Sequence, residues 1–511
     1  MTLDRSPLTL ECMSRPLRVL IAASEVDPIA TSGRLGRAVG GLARALKNLR
    51  IDVRIVMPKY RTLHTGFSGL TRLVPRMRIR SVNRFGETAI YRDELPVDLP
   101  VYLIEKDKYF DRDRLYTDPS GEPYKDNAER FCFFNLCTLE MFTQIGFYPD
   151  VIHCHDWHTG LIPVYLRMLF HNDPLYAPIT TLFTIHDILQ QGCFVHDELG
   201  VTGLPESVFS PEGIEFKKKI SFLKAGIVYA NVLTTESKRY SQEIQSPEYG
   251  HGFEELLQSK SKDLYGVVNG VEYKHYDPRV DPFLVVNYTK DEPEKKQQCK
   301  QDLLSICEFE SRSQVPLVGM IAPFDKQKGL ELVLQSLQQI LELDLQFVFL
   351  NDNGTAEPDD AKRLDEFQRI YRACFRWYAK HDQELAHKIF AGADMLLIPS
   401  KSEPCGEIQI YSLKYGTIPL VRATGGLDDT ITEFHPESGK GNGFKFIDYS
   451  SESLLAMLRE ALAVYHNHSL WELVKTNAMR VDYSWVYSAK KYRDLYKVAM
   501  SKANLSPTLQ K

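Results

Sequence analysis

Three glycine-bearing segments combine residue types that could handle a phosphorylated sugar. The first, ASEVDPIATSGRLGRAVGGLARAL over Ala23–Leu46, puts Gly33 and Gly36 just before an apolar-periodic helix. Glycine there lets the backbone approach a phosphate closely. The second and third are EPCGEIQIYSLKYG over Glu403–Gly416 and TGGLDDT over Thr424–Thr430. A carboxylate beside a glycine at a helix N-terminus can grip sugar hydroxyls while neighbouring N–H groups hold a diphosphate. Gly425 and Gly426 would do similar work on the other side. Taken alone, the first segment equally fits a turn that merely needs glycine.

Such loops need rigid elements to carry them. Short β-branched runs alternate with longer helical patterns, the signature of parallel sheets covered by helices. Arg18–Ala23, Asp52–Met57, Val101–Ile104, Val151–His153, Thr181–Ile185 and Val232–Thr235 are expected strands of a first doubly wound sheet. A second series is expected at Val315–Ala322, Gln346–Leu350, Met395–Pro399 and Ile418–Val421. The glycine segments come after strands in both series, where open α/β sheets bind ligands.

The 511 residues exceed one compact core, and two large lobes are the economical division. Expected boundaries are 17–280 for the first lobe, 281–485 for the second, and 486–511 for a helical segment packing back on the first. The 62 basic and 67 acidic residues leave a net charge of −5, which gives no basic field for a nucleic acid or an anionic membrane. No apolar run approaches the roughly 20 residues of a bilayer span. The opening MTLDRSPLTLECMSRP lacks the pattern of a secretory signal and is expected to be a short extension. Nine cysteines without a C-x-x-C pair fit reduced core thiols better than disulfides or zinc ligands. The expected location is cytoplasmic, or plastidial in a plant or alga.

HCHDWHTGL (His153–Leu161), FTIHD (Phe183–Asp187), FLKAGIVYA (Phe222–Ala230), VVNGVE (Val267–Glu272), DKQKG (Asp325–Gly329) and AGADMLLIPS (Ala391–Ser400) join the glycine segments in order along the chain. With DNAERF (Asp126–Phe131) and SPEYGHGFE (Ser246–Glu254), this series closely resembles the glycogen and starch synthase family from about Arg18 to the C-terminus. The resemblance implies two Rossmann-like lobes around a central cleft, the GT-B architecture. It implies transfer of glucose from ADP-glucose to the non-reducing end of an α-1,4-glucan, with retention. No cofactor and no metal are implied; ADP-glucose is a co-substrate. By the same resemblance Glu403, His186 and Lys328 are the catalytic residues. Gly33, Asn269, Lys328, His381, Cys405, Gly406, Thr424, Gly425 and Gly426 are on the donor side. Tyr124, Asp126, Asp156 and His158 are on the acceptor side, with Trp157 either packing or stacking on sugar.

The donor-side pattern is also altered. Where the family has K-T-G-G-L-G-D, this chain has Thr31, Ser32, Gly33, Arg34, Leu35, Gly36 and Arg37. Its diphosphate-binding arginine is Pro323, its H-N is His186-Asp187, and L-G-x-G becomes Leu350-Asn351-Asp352-Asn353-Gly354. These changes raise an alternative expectation: a catalytically impaired homologue that binds glucan or regulates an active synthase, with that synthase or a second copy of itself as partner.

Overall fold

The computed structural model describes residues 15–61, 69–312, 314–352 and 357–504. Most of the N-terminal extension, the end of the C-terminal segment, and Asn353 and Gly354 of the altered turn lie outside the described residues. The chain divides into two compact units. One runs to Thr235, resumes over Ile244–Gly270 and takes in the chain from Trp485; the other comprises Glu236–Glu243 and Val271–Ser484.

The first unit is built on β1 (Arg18–Ala22), β2 (Asp52–Pro58), β3 (Thr71–Arg78), β4 (Glu87–Leu95), β5 (Leu99–Glu105), β6 (Val151–His155) and β7 (Thr180–Ile185). A small antiparallel sheet of β8 (Cys193–Val195), β9 (Glu215–Phe216) and β10 (Lys219–Ser221) is followed by β11 (Val232–Thr235) and β12 (Leu264–Gly266). The main sheet has the order β12-β11-β7-β6-β1-β2-β5-β4-β3. All its pairings are parallel except β5 with β4 and β4 with β3. Parallel strands covered on both faces are apolar throughout, and β7 is buried at every position. That uniformity made them recognisable in sequence. β3 was not expected, because TRLVPRMR buries only Val74 and Met77 on an edge strand otherwise exposed.

The second unit holds a parallel sheet of β13 (Leu317–Ala322), β14 (Gln346–Asn351), β15 (Phe375–Tyr378), β16 (Met395–Ile398), β17 (Ile418–Arg422) and β18 (Phe444–Phe446). Its order is β15-β14-β13-β16-β17-β18. In each unit the order reverses beside the first strand: β1 lies between β2 and β6, and β13 between β14 and β16. Connections therefore leave in opposite directions there, and a crevice opens at the strands' carboxyl ends.

The unit boundaries differ from the expected ones. Residues 271–280, expected in the first lobe, pack in the second because Val271 N–H donates to Tyr483 O at 2.9 Å and the Asp277 carboxylate takes Arg279 beside Lys414. Glu236–Glu243, sequence-contiguous with the first lobe, is also held by the second: Ser237 Oγ donates to Pro404 O at 2.7 Å. The terminal helix Trp485–Asn504 lies on the first unit, with Tyr496 hydroxyl 2.9 Å from His153 Nδ1. A Cβ on Gly41 would sit 2.0 Å from Trp485 Nε1, so this glycine makes room for the indole. No disulfide joins the eight described cysteines, six of which are buried. Among the described residues no helix is long and apolar enough to cross a membrane.

Candidate active site

The crevice of the second unit gathers the expected cation and carboxylate. Lys328 comes from the turn after β13 and Glu403 from the loop after β16, the two strands that flank the reversal. Lys328 Nζ lies 2.6 Å from Glu403 Oε2, and Ser400 Oγ donates to the same oxygen at 3.1 Å. The Glu403 side chain is 4% exposed and that of Lys328 15%. The two contacts fix the direction of the buried carboxylate. Gly329 makes the approach possible: its φ is +78°, and a Cβ there would lie 2.1 Å from Pro399 O.

Behind this pair the two glycine segments lock together. Gly426 N–H donates to Glu403 O at 2.9 Å, and a Cβ on Gly426 would fall 1.8 Å from Cys405 O. Gly406 takes a φ of +75°, and Gln409 Nε2 donates to the carbonyls of Cys405 and Gly406 at 3.1 Å each. The amides expected to hold a diphosphate have internal acceptors. Gly425 N–H donates to the Glu243 carboxylate at 3.1–3.2 Å, and Thr424 Oγ1 does the same. Thr424 N–H goes to Arg422 O at 2.9 Å. Burial pushes the Glu243 carboxyl above its usual range, with the Gly425 amide and Arg239 opposing it. Sequence reasoning missed Glu243, which meets Thr424 only through the fold. At the end of β14, His381 Nδ1 is 3.1 Å from Asp352 Oδ1, and both side chains are about half exposed.

In the first unit the crevice is lined from the ends of β1, β6 and β7. Asp156 adopts φ +54° and accepts from the His186 backbone N–H at 2.8 Å. Its carboxylate therefore fixes the loop that carries His186. His158 packs instead of projecting: its ring stacks on Trp157 at 4.0 Å and lies 4.5 Å from Tyr116 and 4.8 Å from Phe131. Burial pulls its pKa well below the ordinary histidine value. Trp157 is 7% exposed, and its indole packs against Phe131 and Phe194. Asp126 is ion-paired with Arg112, and Tyr124 lies beneath the guanidinium groups of Arg112 and Arg130 at 4.4 and 4.9 Å. Asn269 is buried and also belongs to this unit, whereas the other donor-side residues except Gly33 belong to the second.

The altered first loop is held by Glu25, which sequence reasoning did not single out. Its carboxylate accepts from Ser32 N–H at 2.6 Å, Ser32 Oγ at 2.7 Å and Tyr116 hydroxyl at 2.6 Å. Gly33 is extended at φ −164°, and a Cβ there would meet nothing within 4 Å among the described residues. Protein packing thus imposes no glycine at 33. Gly36 lies inside the helix Arg34–Asn48 and not before it, and a Cβ there would be 2.8 Å from Thr31 Oγ1. Arg34 and Arg37 occupy the first turn of that helix, which has no acidic residue. Asp187 Oδ1 accepts from Leu189 N–H at 2.9 Å, and Pro323 O accepts from Asp325 N–H at 2.8 Å.

The same division appears in known proteins. A family model described as "Starch synthase catalytic domain" matches residues 18–259, and one described as "Glycosyl transferases group 1" matches 307–469. A glycogen synthase of Moorella thermoacetica is 40% identical over 494 residues, covering 96% of this chain and 98% of its own length. One of Syntrophotalea carbinolica is 39% identical, with 95% and 99% covered. Among solved structures, the catalytic domain of starch synthase IV from Arabidopsis thaliana, bound to ADP and acarbose, is 30% identical with a TM-score of 0.81. It covers 95% of this chain and 100% of its own. A sucrose-phosphate synthase from Thermosynechococcus elongatus, 16% identical at a TM-score of 0.54, shares the fold.

Proposed function

We propose, from the premise that this chain belongs to the glycogen and starch synthase family, that it transfers glucose from ADP-glucose to the non-reducing end of an α-1,4-glucan. It is a glycosyltransferase with the GT-B fold. The observation that carries the reading is the Lys328–Glu403 pair at 2.6 Å, set where β13 and β16 part. Charge builds on the leaving diphosphate as the glycosidic bond breaks, and a preorganised ammonium stabilises it without reorganisation during the step. Glu403, fixed by Lys328 and Ser400, orients the sugar through its hydroxyls. The reaction as proposed needs no metal, because Lys328 supplies the positive charge.

Donor recognition relies on fewer cations than the family pattern provides. Pro323 offers a carbonyl where the family has an arginine, and the Thr424 and Gly425 donors already serve internal acceptors. A donor affinity lower than that of the glycogen synthases is the expected consequence. The cytoplasm, where free nucleotide sugar is available, is the proposed location. The test is transfer of labelled glucose from ADP-glucose to glycogen by the purified protein. Glu403→Ala and Lys328→Ala are each expected to lower kcat by about 10²–10³-fold with the fold intact. Full turnover in either variant would refute the assignment. Absence of turnover in the unmodified protein, with maltoheptaose still bound, would favour a glucan-binding homologue.

A further inference from the structure

The carboxyl ends of β6 and β7 bring three imidazoles together in the first unit. His153 uses both ring nitrogens: Nδ1 is 2.9 Å from Tyr496 hydroxyl and Nε2 is 2.6 Å from Thr184 Oγ1. His155 stacks on His153 at 4.1 Å and on His186 at 5.1 Å. Its Nδ1 lies 2.8 Å from His186 Nε2. His155 is 1% exposed, and its Nε2 is buried with no hydrogen-bond partner among the described residues.

Only one proton fits between His155 Nδ1 and His186 Nε2. If His186 Nε2 carried it, a neutral His155 would hold its own proton on Nε2, where nothing accepts it. A cationic His186 meets the same objection. A buried N–H without an acceptor is among the rarest features of folded proteins, since it loses its bond to water and gains none. A doubly protonated His155 would bury a charge, and burial holds this ring neutral, with the neighbouring imidazoles adding to the effect. One arrangement avoids each cost.

We infer that His155 sets the tautomer of His186: His155 is protonated on Nδ1 and donates to His186 Nε2, so that His186 carries its proton on Nδ1. His155 is then a positioning residue, and His186 a hydrogen-bond donor at Nδ1 with no basic nitrogen left to take a proton. The functional consequence rests on the glucosyltransferase reading, in which His186 lies near the transferred sugar. There it would donate to a sugar hydroxyl and not act as a general base. Asp156, holding the His186 backbone N–H at 2.8 Å, fixes the main chain while His155 fixes the ring.

The test is nitrogen NMR on the full-length protein labelled with ¹⁵N-histidine, the two rings being assigned by the signals lost in His155→Asn and His186→Asn. Expected are a protonated Nδ1 and a bare Nε2 on both His155 and His186. A proton on Nε2 of either ring would overturn the inference, and this outcome is independent of whether the protein turns over ADP-glucose. Kinetics supply the second arm. His155→Asn keeps an N–H donor near the position of Nδ1 and is expected to retain kcat within about threefold, while His155→Leu loses about tenfold or more with KM little changed. Equal losses in both variants, with the His186 tautomer unaltered, would reduce His155 to packing and refute the positioning role.

Discussion

Lys296 shows how a single buried residue responds to its surroundings. Its Nζ donates to Ala391 O at 2.8 Å, Ala393 O at 3.0 Å and Thr417 Oγ1 at 2.8 Å. The carbonyls and hydroxyl suit an ammonium, but they carry no full charge. Burial therefore dominates and brings the pKa down to about 7, against the pull of Asp394, which Lys300 pairs at 2.7 Å. Between pH of about 7 and the unfolded lysine value near 10.4, the unfolded chain binds the proton that the folded chain has released. Stability contributed by this site therefore rises with pH across that window. The stability of the unmodified protein relative to Lys296→Met is expected to rise by up to about 1.4 kcal/mol per pH unit there. Denaturant midpoints of both proteins at pH values either side of the window would check it, and a gap that does not change with pH would refute it. Nothing in the sequence around Lys296 announced this burial, since KKQQCK has the composition of a solvated helix face.

At the scale of elements, the glycine loops divide by what each glycine must avoid. Gly426 carries the helix Gly425–Thr430 against the Glu403 loop, where a Cβ would strike Cys405 O at 1.8 Å, and backbone cannot swing away. Gly33 faces open space. Gly426→Ala is expected to displace the Glu403 loop, lower the melting temperature by several degrees and abolish transfer. Gly33→Ala is expected to leave stability within about 0.5 kcal/mol. Any loss of transfer in Gly33→Ala would then report on close approach by substrate, and a drop in melting temperature would contradict the open space. The sequence placed both glycines shortly after strands, because a parallel α/β unit turns into its helix there. It could not tell which was packed, since that depends on carbonyls far away in the chain.

For the whole molecule, chain order and spatial grouping part company at three places. Glu236–Glu243 joins the second unit, and the chain returns to the first over Ile244–Gly270 and again from Trp485. The final helix completes the first unit: Tyr496 bonds His153, Ser488 Oγ donates to Val268 O at 2.6 Å, and Lys502 Nζ donates to Asn231 O at 3.1 Å. Removing residues 485–511 would expose the faces of β6 and β7 and leave His153 Nδ1 without its partner. The truncated protein is expected to lose hydrogen-exchange protection in β1, β6 and β7 while β13–β17 keep theirs. Retained protection in the first sheet would show that the helix is dispensable.

Legible in the sequence alone were the class of fold, six strands of the nine-stranded sheet, four of the six-stranded one, and the motifs that place the chain in its family. These are local properties: apolar runs of strand length, glycines at turns, and short segments whose side chains succeed one another in order. It also identified Lys328 and Glu403, though not that they touch. Tertiary structure alone decided that Trp157 and His158 are packed, that Glu243 fills the acceptor role at Thr424 and Gly425, and that residues 271–280 belong to the second unit. It also brought His155 onto His186. Each of these is a meeting of groups from separate elements, and a hydrogen bond or a ring contact between distant segments leaves no trace in the spacing of either one.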